Sequence, residues 1–167
     1  MLTSVWEGND KDLLHELMAL HCRHDSSKVV DCTFGNGGMW DPADDCRIVG
    51  SDIDPERAKD IQADFQYLPF RDGSVDVLIF DPPHMADAGK PRPKFMASTY
   101  GIIWGASSIA VVFPRFTWEA FRVLKHDGIV IAKLSDQIQG GIHHWQTFDY
   151  VKQVQLVGLT PCDLVVK

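Results

Sequence analysis

Asp81-Pro82-Pro83-His84 is the stretch whose residue types say most about chemistry. Two consecutive prolines hold φ near −65° and offer no N–H, so they fix the backbone that follows a carboxylate. Such a turn holds the Asp81 carboxylate and the Pro82 carbonyl at a set separation. Two acceptors placed in this way bind both hydrogens of an amine whose lone pair is delocalised into an aromatic ring. They favour a pyramidal nitrogen and localise its lone pair. They also bind more strongly as the nitrogen gains positive charge, which is the condition for lowering a barrier. The plain alternative is a surface turn that ends a strand.

Upstream lies a second group, Asp31-Cys32-Thr33-Phe34-Gly35-Asn36-Gly37-Gly38, directly after a short apolar run. Glycine serves where a turn needs positive φ or a ligand must approach the backbone. About twenty residues further on, Asp52 ends another apolar run, where a carboxylate can accept both hydroxyls of a ribose. Asp52 and Asp54 equally suit a helix N-terminus favoured by the dipole. A dinucleotide loop would place a third glycine where Trp40 stands, and the leading Asp31 would repel a pyrophosphate. An amino-acid ammonium joined to a nucleoside fits better, which points to S-adenosylmethionine.

These residues resemble the class I methyltransferases. Asp31 through Gly37 looks like their first motif, Gly50-Ser51-Asp52-Ile53-Asp54-Pro55 like their second, and Ala63 to Phe70 like their third. The resemblance spans about residues 29–135. It implies that Asp31, Thr33, Phe34, Gly35, Gly37, Asp52, Ile53, Asp64 and Phe65 hold the cofactor, with Asp64 meeting the adenine amino group. The proline turn is similar to the fourth motif of the amino-methyltransferases, which act on adenine N6, cytosine N4, guanine N2 and sometimes protein glutamine. That likeness gives Asp81, Pro82 and His84 catalytic roles, with His84 in the place of the aromatic ring that stacks on the acceptor. Adenine N6 in DNA is the expected acceptor. RNA, a protein amide or a small molecule are the alternatives, as is a cofactor-binding module that needs a catalytic partner. The ribosomal-RNA cytosine-N4 methyltransferases share a first motif close to Asp31–Gly38 but lack the proline turn.

The positioning elements follow from apolar spacing. Residues 9–22 predict a helix capped by Asn9 or Asp10, and Val29 to Thr33 a strand. A second strand is expected over Arg47 to Ser51, a helix over 56–63 opened by Pro55, and a third strand over 64–68. Val75 to Phe80 predicts the fourth strand. A helix through Trp118, Phe121 and Leu124 should end at His126-Asp127-Gly128, with Ile129 to Leu134 the fifth strand. A helix over 145–157 and a sixth strand over Cys162 to Val166 complete the series. Apolar strands alternating with helices predict an α/β fold, a Rossmann-like, doubly wound, mainly parallel sheet in one domain over 1–167. The family's seventh strand, inserted between the fifth and sixth, is expected to be missing. A protein partner or a second copy would then complete the sheet edge.

Composition sets the outer bounds. The 167 residues carry 16 Lys and Arg against 23 Asp and Glu, a formal charge of −7, which disfavours nonspecific binding to polyanions. The distribution runs the other way. Lys90, Arg92 and Lys94 form the one dense basic run, inside the long connection from His84 to about Ser107. With Tyr100 they are the candidate contacts to an extruded nucleotide, beside Phe95 and Trp104 as further aromatic surface. A solvated lid explains the same run. Cys22, Cys32, Cys46 and Cys162 are scattered and predict no disulfide framework. The cluster His21-Cys22-x-His24 reads as a soft helix end at least as well as a metal site, so no metal is expected. No signal peptide and no run of eighteen apolar residues is visible, so a cytoplasmic protein off the membrane is expected.

Overall fold

A computed structural model describes residues 4–22, 27–41, 48–84, 86–87, 103–104, 108–139 and 141–167. Strands β1 (Val29–Asp31), β2 (Ile48–Asp52), β3 (Ile61–Gln62), β4 (Val75–Phe80) and β7 (Leu124–Ala132) form one sheet in the order β3-β2-β1-β4-β7. Every pairing in it is parallel. The winding reverses between β1 and β4, and in such sheets a ligand crevice opens beyond the strand ends at that point. The fold is the expected Rossmann-like α/β arrangement.

Alternation along the strands explains why both faces need cover. Val30, Cys32, Leu78 and Phe80 face one layer, packed with Phe113, Phe116, Ala120, Tyr150 and Val154. These come from α2 (Phe113–Val123) and α3 (Gln146–Leu156). Phe80 and Phe116 stack with centroids 3.6 Å apart. Val29, Ile48, Val77 and Ile79 face the other layer, with Leu14 and Met18 of α1 (Asp10–His21) and with Trp40. Asn9 caps α1 by accepting from the Asp12 N–H at 2.8 Å, as its side chain suggests.

Several expected elements are placed differently. The helix over 56–63 closes only one turn, through Arg57 and Ala58 N–H to the Asp54 carbonyl. Asp60 then accepts the Gly50 N–H at 2.8 Å and draws the chain alongside β2 as β3. The third strand is therefore Ile61–Gln62, and 64–68 is a turn in which Asp64 Oδ1 accepts the Gln66 N–H. His126-Asp127-Gly128 does not end a helix: α2 stops at Val123, and the three residues lie in an irregular stretch of β7. There the register jumps from Val75↔Leu124 to Val77↔Ile129.

The expected sixth strand over Cys162 to Val166 forms only an isolated bridge from Val166 to Val5. Among the described residues, neither a sixth nor a seventh strand joins the sheet, which ends at β7. Two short pairings were not expected. β5 (Ala86–Asp87) runs parallel to β6 (Ile103–Trp104), and β8 (Gln137–Gln139) with β9 (Ile142–His144) makes an antiparallel hairpin. No helix of the described residues is long and apolar enough to cross a membrane.

Candidate active site at the strand ends

The glycine loop leaves β1 at the switch point. Gly35 and Gly37 adopt φ of +58° and +68°, which a side chain would strain. Asp31 is 2% exposed. Its Oδ1 accepts the Thr33 N–H at 3.0 Å and its Oδ2 the Trp40 indole N–H at 2.7 Å. The carboxylate therefore lies inside the loop and shapes it. Burial pushes its pKa up to about 6, against the pull of those two hydrogen bonds. The Phe34 ring also belongs to the packing: a Cβ on Gly50 would meet it at 2.6 Å, so it lies directly over β2.

Asp52 ends β2 half-buried. Its two oxygens accept the Gly35 N–H at 3.0 Å and the Asp54 N–H at 2.9 Å, which ties the loop to β2. A carboxylate has about four acceptor positions, so two remain for ligand hydroxyls. Ile53 beside it is 61% exposed and offers an apolar face. Asp64 follows closely, since the Ala63 N–H donates to the Asp52 carbonyl at 2.9 Å. Phe65 turns away into the core, edge-on to Phe80 at 5.2 Å. The free acceptor positions of Asp52 and the exposed isoleucine fit the ribose and purine of a nucleoside.

The proline turn sits against this loop. The Thr33 hydroxyl accepts the Asp81 N–H at 2.7 Å, so the first-strand loop holds the turn directly. Pro82 is buried, and Pro83 and His84 are half-buried. Asp81 Oδ1 lies 3.3 Å from His84 Nε2, and Oδ2 lies 3.0 Å from Lys133 Nζ. Lys133 also pairs with Asp10 Oδ2 at 3.1 Å, and Asp10 with Lys167. Burial acts to lower the Lys133 pKa, but the Asp81 and Asp10 carboxylates outweigh it and hold the ammonium above its ordinary value. The Lys133 N–H donates to the Phe80 carbonyl at 2.9 Å, which sets β7's end beside the turn.

The structure thus gathers Asp31, Thr33, Gly35, Gly37, Asp52, Asp81 and His84 around the carboxyl ends of β1, β2 and β4. Lys90, Arg92, Lys94 and Tyr100 lie outside the described residues. Lys133, Trp40 and Asp10 were not foreseen. Lys133 could have been found, because a cation directly after an apolar strand faces the same crevice. Trp40 left a fainter signal, since a buried indole needs an acceptor nearby. Asp10 left none. Among the described residues no cluster could hold a metal ion.

No family model matches the chain, and no curated protein does. Solved structures do. The PH0226 protein from Pyrococcus horikoshii OT3 is 21% identical over 74% of this chain, with a TM-score of 0.52. The [4+2]-cyclase SpnF is 15% identical over 92%, with a TM-score of 0.54. An SAM-dependent methyltransferase, possible histamine N-methyltransferase, from Thermotoga maritima is 17% identical over 94%, with a TM-score of 0.44. The chain spans 55%, 62% and 65% of those three chains. The first two matches define the class: a Rossmann-like α/β fold that this chain shares with them.

Proposed function

We propose that the protein transfers a methyl group from S-adenosylmethionine to an exocyclic amine of a nucleobase, with adenine N6 in DNA as the leading acceptor. The observation that carries this reading is the hydrogen bond from the Asp81 N–H to the Thr33 hydroxyl, which joins the proline turn to the glycine loop. S-adenosylmethionine, when bound, supplies a methyl group on a sulfonium. Gly35 and Gly37 would approach it with bare backbone, Asp52 would accept the ribose hydroxyls, and Ile53 and Asp64 would meet the purine. Asp31 and Phe34 would support that cradle by shaping the loop. Asp81 and the Pro82 carbonyl would orient the amine, as two acceptors on a rigid turn favour a pyramidal nitrogen. Lys90, Arg92, Lys94 and Tyr100 would hold the flanking nucleotide, and a protein partner or second copy would cover the β7 edge.

The formal charge of −7 opposes a polyanion and so supports a second reading, in which the same chemistry acts on a protein amide or a small molecule, with RNA the remaining alternative acceptor. Labelled S-adenosylmethionine offered with DNA, RNA and protein separates the two. The first reading expects label that DNase removes; the second expects label that survives DNase.

A further inference from the structure

We propose that α2 and the end of α3 form a twofold interface with a second copy of this chain, the two α2 helices lying antiparallel across Trp118. The inference is independent of the methyl-transfer reading. It rests on the outer face of one helix layer, apart from the β7 edge. Trp118, Phe121 and Leu156 are 57%, 48% and 76% exposed there. The Trp118 and Phe121 rings meet edge to face with centroids 6.4 Å apart. A Cβ on Gly158 would lie 3.6 Å from the Phe121 ring, so the chain just past α3 adjoins the same rings. Single exposed apolar side chains are ordinary, whereas a contiguous patch marks a contact surface.

The face has the composition and shape of a binding hot spot. Asp72, Arg115, Trp118, Glu119, Phe121 and Arg122 line a groove of about 480 Å³, which leaves room for an aromatic ring from outside. Tryptophan and arginine are the side chains that dominate interface energies, and anchors tend to pair with anchors on the partner. Trp118 of each copy then packs into the groove of the other. Such an isologous contact uses one patch twice and closes on itself.

Charge selects the occupant. The chain carries −7, so two copies repel as wholes, and a contact between them must lie where the local charge cancels. It cancels in this groove, where Arg115 and Arg122 stand against Asp72 and Glu119. Glu119 holds Arg122 through two bonds, at 3.1 and 2.7 Å, and Asp72 meets the same guanidinium at 2.8 Å. That end of α2 therefore has two carboxylates for one cation. Arg115, about two turns nearer the N-terminus, supplies the excess cation, and Trp118 stands between the ends. Antiparallel α2 helices bring Arg115 of each copy to the Asp72 end of the other. A strongly acidic or strongly basic partner would find no such match.

Sedimentation velocity of the protein reads the interface. The wild type should run at twice the chain mass at micromolar concentration, and Trp118→Glu should weaken association by about 30-fold or more. Circular dichroism should stay unchanged in that variant, because the side chain is exposed. Leu20→Glu, also exposed but on α1 in the other layer, should leave the dimer intact. A charge swap tests the axis. Asp72→Arg and Arg115→Glu should each weaken association alone, and an equimolar mixture should recover most of it, because each copy then meets its opposite charge. The proposal is overturned by a wild type that stays monomeric to about 100 µM, by a dimer that Trp118→Glu leaves intact or Leu20→Glu disrupts equally, or by a mixture no tighter than its parts.

Discussion

Asp31 and Asp81 are both carboxylates at strand ends, yet their surroundings give them different work. Asp81 is 21% exposed and meets Lys133 and His84, whereas Asp31 is enclosed by Trp40 and its own loop. Replacing Asp81 with Ala should abolish transfer while leaving affinity for S-adenosylmethionine within a few-fold, by calorimetric titration beside turnover. Asp31 makes a prediction about stability. Its folded pKa, about 6, lies above the ordinary 3.8, so the folded state holds more protons between those values. Stability is therefore lost as pH rises from about 4 to 6, and the penalty is complete above that, on the order of 2–3 kcal/mol. In urea unfolding, Asp31→Asn should gain on the wild type by that amount between pH 4 and 7. A pH-independent difference would contradict it. The carboxylates were legible in the sequence because each follows an apolar run. Their partners were not, since Lys133 reaches Asp81 across a separation of 52 residues.

At the scale of elements, the loop carrying Asp64 depends on α2. Glu119, 6% exposed, accepts the Leu68 N–H at 2.9 Å and the Arg122 guanidinium at 2.7 Å. Arg122 also donates to the Leu68 and Phe70 carbonyls, so one charged pair pins residues 68–70. Glu119→Ala would strand the buried Leu68 N–H and leave Arg122 with Asp72 as its remaining carboxylate, at a cost of about 1–3 kcal/mol in chemical unfolding. Glu119→Gln, which keeps an acceptor, should lose less than half of that. The strands β1, β2 and β4 were readable because a parallel strand covered on both faces is apolar throughout. The helix expected over 56–63 failed because Asp60 bonds across to β2, a tertiary contact that no local pattern displays. The β8–β9 hairpin was missed because its run Gln137–Gln139 has one apolar residue between two polar ones, too short to show a period.

Across the whole molecule, charge and termini bear on the same crevice. Val166 bridges to Val5, and Lys167, Asp10 and Lys133 form a chain of ion pairs that ends on Asp81. The formal charge of −7 opposes a polyanion, while the run Lys90, Arg92 and Lys94 attracts one. Three phosphate contacts give a slope of log affinity against log salt of roughly −2 to −3. A slope near zero in fluorescence anisotropy would remove that run from the nucleic-acid interface. The central claim is methyl transfer directed by the proline turn, and its most direct measurement is incorporation of labelled methyl from S-adenosylmethionine into DNA, RNA and protein by the wild type and Asp81→Ala. Nuclease-sensitive label is expected with the wild type and background label with the variant. Label that protease removes and nuclease leaves, or equal incorporation by the two proteins, would contradict it.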